Sequence, residues 1–66
     1  MAERKLLRML REREVCVAMG WSRSMLWKQI KAGRFKKPIK VAPHMNAWTD
    51  DDVAEEQERL IAERNA

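Results

Sequence analysis

A mostly helical fold carrying one small β-hairpin is predicted for this chain by three observations. Gly20 ends one run of helical period and Ser22 caps a second, so two short helices are joined by Met19-Gly20-Trp21-Ser22. The β-branched stretch Pro38-Ile39-Lys40-Val41 is separated from Ala47-Trp48-Thr49 by five residues rich in turn formers. Thr49 followed three positions on by Asp52 is a helix start signal, and a third helical run follows it. Sixty-six residues hold one domain of this kind and leave no room for a second.

Residues 1–11 are basic, with leucines and methionine interspersed, and read either as a frayed helical arm or as a short extended segment leading into a domain over residues 12–66. From Glu12, the positions of Val15, Ala18 and Met19 at i, i+3 and i+4 predict a short amphipathic helix. Glu12 and Glu14 suit its positive N-terminal end. Gly20 supplies the left-handed residue that stops it, and the apolar Trp21 is placed for the contact that accompanies a Schellman turn. Ser22 is the N-cap of the next helix. Met25 stands where a reciprocal capping box needs Glu or Gln. This second helix, residues 22–31, ends at Ala32-Gly33. Leu26 and Ile30 share one of its faces, whereas Ser24, Trp27, Lys28 and Lys31 share the opposite one. The pair is a helix-turn-helix with glycine in the turn.

The hairpin that follows, closed through Ala42-Pro43-His44-Met45-Asn46, would form a wing. A third helix is expected from about Asp50 to Arg64, with Val53, Leu60 and Ile61 as its inward stripe and Gln57 interrupting it. Trp21, Phe35 and Trp48 are the aromatic core candidates. Cys16 fits the role of a small buried hydrophobe rather than a reactive thiol.

Charge is polarised along the chain. Residues 1–48 carry twelve Lys/Arg against three Glu, a net of +9, and residues 49–66 carry a net of −5. Residues 23–40 hold seven basic side chains and no acid. A purely structural surface would relieve that self-repulsion with carboxylates, so the stretch points to a polyanionic partner. A single Cys and a single His exclude an internal disulfide and a four-ligand zinc site, and no metal or other cofactor is expected. The only His lies in a turn, so no nucleophile has a base beside it and an enzyme is not expected. The longest apolar run, residues 15–21, is far below the ~20 residues of a membrane span. Arg8 and Arg11 break up the leucines that a secretory segment would need. A reducing, cytoplasmic setting is expected, with nucleoid association when the protein is bound to DNA.

The string Glu14-Val15-Cys16, then Gly20-Trp21-Ser22-Arg23-Ser24, Trp27-Lys28, Gly33-Arg34-Phe35, Pro38-Ile39-Lys40-Val41 and Trp48, resembles in order the pattern of the AlpA family. Members of that family are phage and prophage regulators related to excisionases, with a winged helix-turn-helix of the MerR-like form. The family often has threonine at Met25, tyrosine at Trp27, proline at Lys36, arginine at His44 and Ala47, and an apolar aromatic at Glu56. The wing's share of binding is therefore expected to be small.

What the resemblance implies is a sequence-specific double-stranded DNA-binding protein that inserts residues 22–31 in the major groove. Contacts are expected from Ser22, Arg23, Ser24, Trp27, Lys28 and Lys31, with Arg34, Lys36, Lys37, Lys40 and His44 beside them. Arg23 is the leading candidate for bidentate guanine recognition. The same surface serves a transcriptional regulator or an excisionase that bends attachment-site DNA. A homodimer or cooperative assembly on DNA, and an integrase, are the protein partners so implied. The DNA-recognising domain of phage terminase small subunits is a further relative with a similar wing and helix. From charge alone, a protein-interaction adaptor that docks an acidic partner on its basic face is the rival.

Overall fold

Met9–Leu10 (β1), Glu12–Met19 (α1), Arg23–Lys31 (α2), Ile39–Ala42 (β2), Met45–Thr49 (β3) and Asp50–Arg64 (α3) follow one another in the computed structural model, which describes residues 6–65. Among these residues the strands form one antiparallel sheet of order β1-β3-β2. With α1 and α2 joined by a tight turn, the arrangement is a winged helix-turn-helix.

Local chemistry accounts for the helix boundaries. Gly20 adopts φ 71°, and the turn it makes lets the Trp21 N–H reach the Cys16 carbonyl at 2.9 Å and the Gly20 N–H reach that of Val17 at 3.3 Å. These are the paired bonds of a Schellman motif. Gly33, at φ 78°, repeats the device after α2, with Arg34 N–H donating to Gln29 and Gly33 N–H to Ile30. Thr49 caps α3: its hydroxyl accepts from the Asp52 N–H at 3.0 Å, and the Asp52 carboxylate accepts the Thr49 N–H in return.

The core gathers Leu10, Val15, Cys16, Leu26, Phe35, Trp48 and Val53, with Met19, Trp21 and Ile30 packed against it. Trp48 is fully buried, and its indole N–H donates to the Lys36 carbonyl at 3.0 Å, which removes the cost of burying that polar group. Phe35 stacks on Trp48 and meets the edge of Trp21 at 5.6 Å.

Five expectations are resolved or corrected in detail. Of the segment 1–11, residues 1–5 lie outside the described residues, while Met9 and Leu10 are extended and pair with Thr49 and Trp48. Leu10 thereby enters the core. The hairpin loop is only Pro43-His44, because Ala42, Met45 and Asn46 continue the strands. Proline at the first loop position and a left-handed residue at the second, His44 at φ 65°, together make a two-residue loop sufficient. On α1, Cys16 is buried and Ala18 is exposed, so the inward set is Val15, Cys16 and Met19. On α3, Leu60 and Ile61 are exposed and the helix docks through Val53 and Glu56 instead. Glu56 is tolerated inside because Arg59 grips both its oxygens, Nε to Oε1 at 3.0 Å and Nη2 to Oε2 at 2.5 Å. Trp21, expected in the core, is half-buried at its margin.

Candidate nucleic-acid interface

Helix α2 is set in place by its cap and by one buried side chain. The Ser22 hydroxyl accepts the Met25 N–H at 3.1 Å, and Leu26 is fully buried among α1, the sheet and α3. Turning Leu26 and Ile30 inward leaves Arg23, Ser24, Lys28 and Lys31 exposed on the outer side, as the 3.6-residue period requires. Lys28 and Lys31 also occupy the last turn, where a cation is favoured by the helix dipole without any ligand. That bland explanation covers two of the cations. It does not cover Arg23, which stands at the opposite, positive end of α2, where a cation is disfavoured.

Arg23 is held by a partner from another helix. Its Nε lies 2.9 Å from Oε1 of Glu12 in the first turn of α1, and its side chain remains 79% exposed. The second oxygen of Glu12 accepts the Trp27 indole N–H. Trp27 in turn sets its ring edge against Trp48 at 6.0 Å, so one side of the indole is anchored to the core and the other faces solvent. Trp27, expected on the outward face of the helix, is partly exposed there and also leans on the core, so its side chain bridges the two.

The wing tip closes the same region. Arg11, Glu12, Arg23, Trp27, His44 and Asn46 line a shared depression, which brings His44 beside the start of α2. Lys37 and Lys40 are exposed before and within β2, Lys40 opposite Asn46 in the hairpin register. Among the described residues, no salt bridge engages Lys28, Lys31, Arg34, Lys37 or Lys40.

Lys36 differs from these five. Its ammonium lies 3.2 Å from Asp52 and 3.3 Å from Glu55, so it faces the acidic first half of α3. Arg34 and Lys36 line a second depression with Asp52, Glu55, Glu56 and Arg59, apart from the one that holds Arg23 and His44. The hydrogen bonds to Asp52 and then Glu55 raise the Lys36 ammonium above its ordinary value. Burial works against ionisation of Asp52, but the hydrogen bonds from Lys36 and Thr49 outweigh it and lower the carboxyl below its ordinary value. Glu14 is also lowered, chiefly by the Arg11 backbone N–H at 2.9 Å and further by Arg8.

These shifts carry a stability prediction with a definite sign. A carboxyl lowered on folding contributes stability above its unfolded value and loses that contribution as pH falls through the lower folded value. Thermal melts should therefore keep a constant midpoint from pH 7 to about pH 5 and begin to fall below about pH 4, as pH drops from the ordinary carboxylate range toward the lowered folded-state values of Asp52 and Glu14. The raised Lys36 keeps its contribution throughout that range, since its stability is lost only as pH rises through the folded value. Asp52→Asn should flatten part of the acid limb, and an unchanged limb would mean that the α3 cap and the Lys36 pair do not carry it.

Arg11, Glu12 and Asn46 belong to this surface and escaped the sequence reading. Glu12 was explained there by the dipole of its own helix, and nothing local in the chain signals a contact eleven or fifteen residues away. Among the described residues no helix is long and apolar enough to cross a membrane, and no group of His, Cys, Asp or Glu could hold a metal ion.

Residues 8–61 match the family model described as prophage CP4-57 regulatory protein (AlpA). No match was found among the curated proteins or among the solved structures.

Proposed function

The chain belongs to the AlpA family of prophage regulatory proteins, and from that premise we propose that it is a sequence-specific regulator of double-stranded DNA that lays α2 in the major groove. The observation that carries the proposal is the outer face of α2. Arg23, Ser24, Lys28 and Lys31 stand exposed together, and among the described residues Lys28, Lys31, Arg34, Lys37 and Lys40 have none of the paired carboxylates that a solvated structural face would use.

In a helix-turn-helix the N-terminal residues of the second helix reach base edges. Arg23, Ser24 and Trp27 are then the readers. Lys28, Lys31, Arg34, Lys37 and Lys40 neutralise phosphates and set register without reading sequence. Lys36 is left out of the binding set because two α3 carboxylates already hold it. His44 stands at the wing tip and lines the same depression as Arg23, where a backbone phosphate would lie. The protein acts in the cytoplasm, on DNA, as a homodimer or as copies assembled cooperatively on neighbouring sites.

A gel shift on random and genomic duplexes, followed by footprinting of the DNA around the protein's own gene, tests the reading. Protection of a promoter supports a transcriptional regulator. Repeated protected sites beside an integrase target would assign the same surface to an excisionase. Absence of any shift on duplex DNA, with an acidic protein retained on the basic face, would replace both with an adaptor.

A further inference from the structure

Glu12 is a carboxylate set inside a basic surface; the dipole of α1 favours an acid in this first turn, but it does not account for the two α2 donors that the carboxylate engages. An acid so close to a DNA-facing arginine repels phosphate and costs affinity for any duplex. A side chain with that cost is expected to return something. Its two oxygens are divided between different donors, Oε1 on Arg23 Nε and Oε2 on Trp27 Nε1. Arg23 and Trp27 are one helical turn apart on α2 and both face Glu12.

We propose that Glu12 is the positioning residue for Arg23: the Trp27 indole N–H fixes the carboxylate, and the carboxylate fixes the guanidinium by its Nε edge. The chain of contacts begins in the core. Trp48 is fully buried, Trp27 leans its ring edge on Trp48, Glu12 takes the Trp27 N–H, and Arg23 is held by Glu12. The most exposed member is thereby tied to the least exposed through three contacts. Guanidinium has five N–H donors in a rigid fork, and engaging Nε leaves the four on Nη1 and Nη2 available on a side chain that is 79% exposed. Those four are the donors that bind O6 and N7 of guanine as a pair. Holding the fork before binding removes the rotamer freedom that a free arginine would lose on the base, so Glu12 raises preference for one sequence while it lowers affinity for DNA in general.

This inference rests on the DNA-binding reading of α2. Its test uses the full chain, a duplex enriched by the parent protein from a randomised library, and a scrambled duplex of equal length. Affinities of parent, Glu12→Gln, Glu12→Ala, Arg23→Ala and the Glu12→Ala/Arg23→Ala double variant are measured on both duplexes. Glu12→Ala is expected to bind the scrambled duplex more tightly, by about 2- to 3-fold, because a charge repelling phosphate is gone. On the enriched duplex it is expected to bind less tightly, so that the preference between the two falls by about 10-fold. Glu12→Gln, whose one carbonyl oxygen can accept from only one of the two donors, should fall between parent and alanine. In the Arg23→Ala background the Glu12 substitution should leave the preference unchanged within about 2-fold, because the group it positions is absent. Circular dichroism should match the parent for every variant, since the freed Trp27 N–H faces water.

A preference that survives Glu12→Ala, or one that falls equally with and without Arg23, overturns the positioning role and leaves DNA binding by α2 standing. A parent that enriches no sequence overturns both readings together. Should Glu12→Ala fail to fold, the ordering of parent above Glu12→Gln, and its disappearance in the Arg23→Ala background, decides the matter by the same criteria.

Discussion

Leu26→Ala is expected to unfold a large fraction of the protein at 25 °C. Leu26 is fully buried at the meeting of α1, α2, the sheet and α3, and removing a buried leucine side chain costs ~2–5 kcal/mol. Domains of this length have ~3–10 kcal/mol in total at typical values per residue, so the loss is a large part of the whole. The adjacent Met25 serves as control. It is 37% exposed, and its alanine variant should shift stability by less than about 1 kcal/mol. Urea melts followed by circular dichroism measure both. A Leu26→Ala variant that melts with the parent would mean that α2 does not turn this face to the core, and the outward set of Arg23, Ser24 and Lys28 would fall with it.

Arg23→Ala and Lys28→Ala are expected to leave melting in place and weaken DNA binding in two different ways. Loss of a bidentate base contact costs about 1–3 kcal/mol and relaxes preference at one position of the site, which is the outcome for Arg23. Loss of a phosphate contact weakens binding on every sequence alike and reduces the salt dependence by about one phosphate, which is the outcome for Lys28. Both side chains are exposed and neither packs in the core, so stability should not change. Unchanged affinity in both variants, with intact circular dichroism, would remove α2 from the recognition role.

The turns and caps of this fold are legible in the chain because each is a bargain among neighbours. Gly20 and Gly33 supply left-handed residues, Ser22 and Thr49 supply hydroxyls to N–H groups three positions away, and all four act as their sequence context indicates. Strand β1 is two residues long and pairs with Thr49 and Trp48 nearly forty positions on, so no local period announces it. The α3 stripe misleads for a related reason. Spacing places Leu60 and Ile61 on the side of Val53, but the sheet and α1 reach only the first half of the helix, and Glu56 docks there once Arg59 neutralises it.

The interface divides the same way. The outward cations of α2 follow from a 3.6-residue period and one inward leucine. That Lys36 is taken by Asp52 and Glu55, and Arg23 by Glu12, depends on where α3 and α1 come to rest. A count of basic residues therefore overstates the charge available to a polyanion. Seven cations lie in residues 23–40, and five of them have no ion pair among the described residues.

That reduced count gives the most direct test of DNA binding by this surface, the salt dependence of affinity on duplex DNA. Each neutralised phosphate contributes about −0.9 to the slope of log affinity against log salt, so ~4–5 contacts predict a slope of about −4 for one subunit. Changing Lys37 and Lys40 together to alanine should flatten it by up to about 2 while sequence preference persists. Fluorescence anisotropy of a labelled duplex across a salt series reads both slopes. A parent slope of about −4 is the result this surface predicts, and a slope near zero would contradict DNA binding by it.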